Sequence, residues 1–174
     1  MARLPYADEN SAETSALATR ISSERDGVLP NLYRMLLNSP PVAEGWLALL
    51  TAVRQKCLIP GRVRELTILR VALLNRAEYE YEGHIPYALK SGVTQQQVDD
   101  LADWENSDAY EPDQRVALLL TDVMTESVQV PDEVFETVRE AFDTRQVTEL
   151  VTTIAAYNMV SRVLEAIQVD SDSH

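Results

Sequence analysis

Residues 64–84, RELTILRVALLNRAEYEYEGH, decide how the rest of this chain must fold. Between Leu66 and Leu74 only Thr67 and Arg70 are polar. A helix apolar on all sides belongs in the middle of a domain rather than on its surface. The sequence then turns polar and aromatic, with Glu78, Tyr79, Glu80, Tyr81, Glu82 and His84 crowded together. A tight connection at Asn75-Arg76-Ala77 separates the two runs. Together they predict an antiparallel helical hairpin over residues 62–91, with a dense ionisable cluster hinged onto a buried helix.

Outward from the hairpin, helical periodicity and helix punctuation recur. Gly92 is placed to cap the second helix at its C-terminus. Pro86, inside that helix, predicts a kink just after His84. Thr94 to Gln97 has the T-x-x-Q form of a capping box and opens a helix expected to reach Trp104. A polar loop at 105–113 precedes an amphipathic helix from Gln114 to Ser127. Pro131-Asp132 opens another over Val134–Phe142, and the last runs from Gln146 to Val169. Upstream, the spacing predicts a weak amphipathic helix within Asp8–Arg25, a short one over Leu32–Leu37, and one over Val42–Gln55 with Trp46 as a core anchor. The expected fold is all-α, a single domain over 1–169, with 170–174 as a disordered tail.

Composition agrees and removes several function classes. The 174 residues include only 5 Gly and no convincing alternating β-branched runs, which favours helix throughout. A net charge of −13 argues against nucleic acid and anionic membrane as partners, since both need positive surface. Cys57 is the only cysteine, so no intrachain disulfide can form, in keeping with a reducing compartment. No cationic start followed by an apolar stretch opens the chain, so neither signal peptide nor membrane span is expected, and the default location is cytoplasmic.

His84 is the focus of any acid–base chemistry, because the other histidine, His174, lies in the tail. Glu80 and His84 are four residues apart and share a helix face, with Cβ atoms about 6 Å apart. Glu65 lies about 16 Å back from the turn along one helix and His84 about 12 Å forward along the other, so folding back brings them to similar depth. A carboxylate beside an imidazole orients it, raises its pKa and supports proton transfer. Against this stands a plain alternative: Glu80 and His84 as a surface pair worth a few tenths of a kcal/mol. Glu65 shifts the balance, because a carboxylate in an apolar helix needs a partner. Tyr81, Tyr87, Tyr157 and Asn158 could line the same pocket, and Arg70 is expected to pair with a carboxylate. A metal held by Glu65, Glu80 and His84 lacks a fourth ligand at any regular spacing, so no metal and no cofactor are expected.

Arg64-Glu65-Leu66 through Val71-Ala72, then Glu78-Tyr79-Glu80-Tyr81, His84 and Ala88-Leu89-Lys90-Ser91-Gly92-Val93-Thr94, resemble the carboxymuconolactone decarboxylase and alkylhydroperoxidase D-like superfamily. The order of helices matches from about Leu29 to Val169, and the specific residues match mainly between Arg64 and Val98. The resemblance implies a helical bundle that assembles as a dimer, trimer or hexamer. The peroxidase branch carries C-x-x-C-x-x-x-H with a glutamate twelve residues before the first cysteine. Registered on His84, this chain has Ala77 and Glu80 in place of the two thiols and Glu65 at the glutamate. Dithiol redox chemistry needs an attacking and a resolving thiol, and neither is present in the motif. The expected activity is therefore that of a cofactor-independent lyase or isomerase acting on a small carboxylic acid or lactone, with Glu65, Glu80 and His84 catalytic. The alternative is a non-catalytic oligomer of the same fold that binds a small molecule or a protein.

Overall fold

In the computed structural model, which describes residues 1–172, nine α-helices and one 3-10 segment form, with no strand among the described residues. The expected all-α class holds. The chain divides into two compact units, residues 1–56 with 163–172, and residues 57–162.

The first unit contains α1 (Ser15–Glu24), α2 (Asn31–Leu36) and α3 (Pro40–Gln55), packed on one another. Pro40 begins α3, where a missing N–H costs nothing. Ile21 and Leu47 are fully buried, and Trp46 anchors the same core at 7% exposure. Arg25, at the end of α1, ties the three helices together. Its guanidinium donates to the Glu24 carbonyl at 2.8 Å, to Thr51 Oγ1 of α3 at 3.1 Å and to the Tyr33 hydroxyl of α2 at 2.8 Å. The tail expected to be disordered is hydrogen-bonded at residues 170 and 172. Asp170 accepts from the Tyr6 hydroxyl at 3.0 Å and from the Ala2 N–H at 3.3 Å, and Asp172 accepts from the Asn31 N–H at 2.7 Å. The tail thus supplies acceptors to N–H groups without a helical partner, at the chain start and at the first residue of α2. Ser173 and His174 lie outside the described residues.

The second unit is built on α4 (Gly61–Asn75), which packs against α5 (Glu78–Lys90) and α7 (Pro112–Glu126). As its apolar run requires, the middle of α4 is buried, with Ile68, Leu69 and Val71 fully enclosed. It ends at Arg76, whose φ of 56° and ψ of 36° place a non-glycine residue in the left-handed region. The Ala77 N–H then returns to the Ala72 carbonyl at 2.9 Å, closing a Schellman-type end. At the far end of α5, Gly92 adopts φ +92° and the Val93 N–H bonds back to the Ala88 carbonyl, the ending read from the sequence. Helix α5 passes through Pro86 unbroken. Pro86 and the residue whose carbonyl it leaves unpaired, Glu82, both lie on the exposed face, where water can satisfy that carbonyl.

Around the hairpin, α6 (Gln95–Asp99) starts on the expected capping box. Thr94 Oγ1 accepts from the Gln97 N–H at 3.1 Å, and Gln97 Oε1 accepts from the Thr94 N–H at 3.0 Å. The helix does not reach Trp104 as an α-helix. A 3-10 segment (Leu101–Asn106) replaces its end. Its carbonyls at Leu101 and Ala102 are drawn to Arg70 at 2.9 and 3.3 Å, and Trp104 Nε1 donates to Asp122 at 3.0 Å. Arg70 also forms a fork with Asp122 at 2.6 and 2.8 Å, so it has the internal carboxylate partner expected of it. Helix α8 (Asp132–Ala141) packs on α7, and α9 (Thr144–Ile167) completes the set. Leu66, Leu69, Ala88, Val98, Trp104 and Leu118 meet in one apolar cluster. No helix among the described residues is long and apolar enough to cross a membrane.

Candidate active site

Helix α5 buries Glu80, His84 and Ala88, residues four apart that form one stripe against α4. Glu65 lies in the second turn of α4 and is 3% exposed, with Glu80 at 6% and His84 at 4%. The fold-back brings the three together. His84 Nδ1 is 2.8 Å from Glu65 Oε2, and His84 Nε2 is 3.0 Å from Glu80 Oε1. The pair is therefore no solvated surface contact. Both nitrogens of a buried imidazole face carboxylates, one from each helix of the hairpin.

Three further groups complete the arrangement. Arg64 Nε donates to Glu65 Oε1 at 3.0 Å, so each oxygen of Glu65 has its own partner. The Tyr157 hydroxyl of α9 lies 3.3 Å from His84 Nε2, and its ring meets the imidazole edge-on with centroids 5.2 Å apart. The ring of Tyr87, tilted at 48°, lies 5.7 Å from the imidazole. Tyr87 is 38% exposed, so the site touches the surface on that side.

Electrostatics set the protonation pattern. Burial is the largest influence on His84 and pushes its pKa down, but its hydrogen bonds to Glu65 and Glu80 and the charges of those carboxylates outweigh it. The imidazole is held above its ordinary value and favours the doubly protonated cation. Burial likewise pushes Glu65 up, but His84 and then Arg64 reverse that and hold its carboxyl below the usual range. With Arg64 and His84 positive and Glu65 and Glu80 negative, the four charges cancel, as a buried ionic cluster requires.

Two of the expected lining residues point elsewhere. The Tyr81 hydroxyl donates to the Val98 carbonyl at 3.3 Å and its ring packs on the apolar cluster. Asn158 Oδ1 accepts from Asn75 at 3.0 Å and from Arg162 at 2.8 Å, while its amide donates to Thr125 at 3.0 Å. Consecutive helical residues point about 100° apart, so Tyr81 cannot share the face of Glu80, nor Asn158 that of Tyr157. Arg64 was missed as a site neighbour because residues adjacent in a helix do not ordinarily face each other. The carboxylates sit at opposite edges of the ring, an arrangement unlike convergent metal ligation. Among the described residues no group of three or more His, Cys, Asp or Glu is arranged to hold a metal ion.

An all-helical unit with a buried Glu–His pair across a central hairpin defines an alkylhydroperoxidase D-like protein. The chain belongs to the carboxymuconolactone decarboxylase family, whose family model matches residues 40–122. It is 35% identical over 102 residues, 58% of this chain and 69% of the relative, to the uncharacterized protein YdfG of Bacillus subtilis (strain 168). Among solved structures, the uncharacterized peroxidase-related protein from Ralstonia eutropha JMP134, an alkylhydroperoxidase AhpD core, superposes with a TM-score of 0.86 at 18% identity, over 99% of this chain and 93% of that one. The debrominase Bmp8, bound to 2,3,4-tribromopyrrole as a cysteine-to-alanine variant, superposes with a TM-score of 0.81 at 16% identity, over 98% and 91%. At such identities these likenesses establish the fold alone.

Proposed function

We propose that this chain is a cofactor-independent proton-transfer enzyme, a lyase or isomerase acting on a small carboxylic acid or lactone. One observation carries the proposal: a buried imidazole bridges Glu65 and Glu80, with its pKa raised by both. In such a cluster the Glu80 carboxylate can take a proton from carbon next to a carbonyl while the C–H electron pair moves into an enolate. Returning the proton to a different carbon isomerises the substrate. If carbon dioxide leaves instead from a 3-oxo acid, the C–C electron pair forms the enolate of the shortened compound, which is quenched by a proton from His84. The Tyr157 hydroxyl, beside Nε2, can donate to the enolate oxygen. A thiol peroxidase cycle is not part of this proposal, because Cys57 is the only cysteine and lies outside α5.

Small lactones and 3-oxo or unsaturated acids, incubated with the protein in deuterium oxide and followed by proton NMR, test the idea. Exchange or isomerisation of at least one compound is expected with the wild type and not with His84→Gln. Equal behaviour of the two proteins across the panel would end it. The deep burial of Glu65, Glu80 and His84 favours a second reading, a non-catalytic oligomer in which the cluster pins the hairpin and a small molecule or protein binds elsewhere. That reading expects no exchange from either protein.

Both readings carry a homo-oligomer. Leu58, Tyr87 and Leu89 of the second unit leave 59%, 38% and 40% of their surface exposed. Single exposed apolar side chains are ordinary on a monomer, so the family resemblance carries the oligomer, with these residues as candidates for cover by a second copy. Sedimentation at micromolar concentration should show a species heavier than the 19.5 kDa chain, and a monomer alone would contradict it.

A further inference from the structure

Arg64 and Glu65 are neighbours on a helix, and neighbours on a helix project about 100° apart. For Arg64 to reach Glu65 Oε1 at 3.0 Å its side chain must curl back along α4. An arginine near the start of a helix would ordinarily extend into water. Here it is 16% exposed and spends its Nε–H on a carboxylate already engaged by His84. With one oxygen given to Arg64 and the other to Nδ1, Glu65 is held as an acceptor on both sides.

We propose that Arg64 is a positioning residue that locks the proton on His84 Nδ1 and leaves the Nε2–Glu80 edge as the only place where the proton moves. Arg64 can only donate, so Glu65 Oε1 must accept. That favours an ionised Glu65, and an ionised Glu65 requires a hydrogen on Nδ1. When the imidazolium loses a proton, it therefore loses it from Nε2, toward the Glu80 carboxylate. The two carboxylates thereby take different roles: Glu65 fixes the tautomer, and Glu80 shares the mobile proton. The titratable groups facing the ring are Glu65 from α4, Glu80 and Tyr87 from α5, and Tyr157 from α9, with Arg64 behind Glu65. Its consequence for catalysis rests on the proton-transfer reading, whereas the protonation pattern does not.

Nitrogen NMR of the imidazole, in protein labelled on histidine and carrying His174→Gln, reads His84 alone. Above its titration midpoint the ring should be the Nδ1–H form by roughly tenfold or more, the ratio a charge-assisted hydrogen bond supplies. In Arg64→Gln the buried Glu65 loses its cation and can itself hold a proton, so Nδ1 is free to become an acceptor. Since a neutral hydrogen bond is about half as strong as a charged one, the preference should drop to about threefold or less. Arg64→Lys, which restores the charge, should restore most of it. A wild-type ring in the Nε2–H form, or a preference unmoved in Arg64→Gln, would overturn the proposal. A second reading needs no variant: the Arg64 Nε–H resonance should shift with the His84 midpoint, and a resonance blind to that titration counts equally against it. Turnover enters none of these measurements. A protein inactive on every compound but showing the tautomer lock would retain this inference and lose the catalytic reading.

Discussion

Replacing Glu65 with alanine is expected to lower the unfolding free energy by about 3–5 kcal/mol, the cost of removing one partner from a buried ion pair. Two groups are stranded at once. The Nδ1–H of His84 loses its acceptor at 2.8 Å, and Arg64 loses its carboxylate at 3.0 Å. Neither can easily turn to water, with side-chain exposures of 5% and 16%. The same change removes one of the two anions that raise the His84 pKa while burial continues to depress it, so His84 should titrate lower. Glu65→Gln keeps the shape and an acceptor oxygen, and should cost less, about 1–3 kcal/mol. Urea denaturation of the three proteins, with NMR titration of His84, checks both effects. If Glu65→Ala loses less than about 1 kcal/mol, the size of an exposed ion pair, the cluster does not stabilise the hairpin.

Stability should also depend on pH in a way that reports the cluster. His84 is raised above its ordinary 6.5, so its contribution is complete below pH 6.5 and is lost as pH rises through the folded-state value. Glu65 is held below its ordinary 4.5, so its contribution is complete above pH 4.5 and is lost as pH falls through its folded-state value. Between 4.5 and 6.5 both are fully present, and the cluster should stabilise most there. The chain has many other acids, so the informative quantity is the difference between wild type and His84→Gln. That difference should be widest in this window and shrink above it. A difference that stays flat from pH 6 to 9 would mean that His84 does not gain its proton from folding.

Most of the hairpin was legible because its signals are local. An apolar run buried on every side, Gly92 at a left-handed helix end, and the Thr94–Gln97 capping box each depend on residues within one or two turns. The meeting of Glu65 with His84 was legible for a related reason. Once a tight turn is placed at Arg76, the rise per residue sets the depth of both groups. The rotation of side chains about a helix axis, relative to helices elsewhere in the chain, is not contained in such spacings. That rotation placed Tyr157 on the imidazole and turned Asn158 to Asn75, Thr125 and Arg162, and it sent Tyr81 to the apolar cluster.

By itself, then, the sequence determined the all-helical class, the buried hairpin, the family, and the trio Glu65, Glu80 and His84. Tertiary structure alone decided that the trio is a buried, charge-balanced cluster with Arg64 as its fourth member. It also decided that α6 gives way to a 3-10 segment where Arg70 and Asp122 claim its carbonyls and Trp104. The physical reason is common to these cases. Helix formation and chain reversal follow from neighbours in sequence, whereas the partner of a buried charge follows from whichever donor packing leaves within about 3 Å.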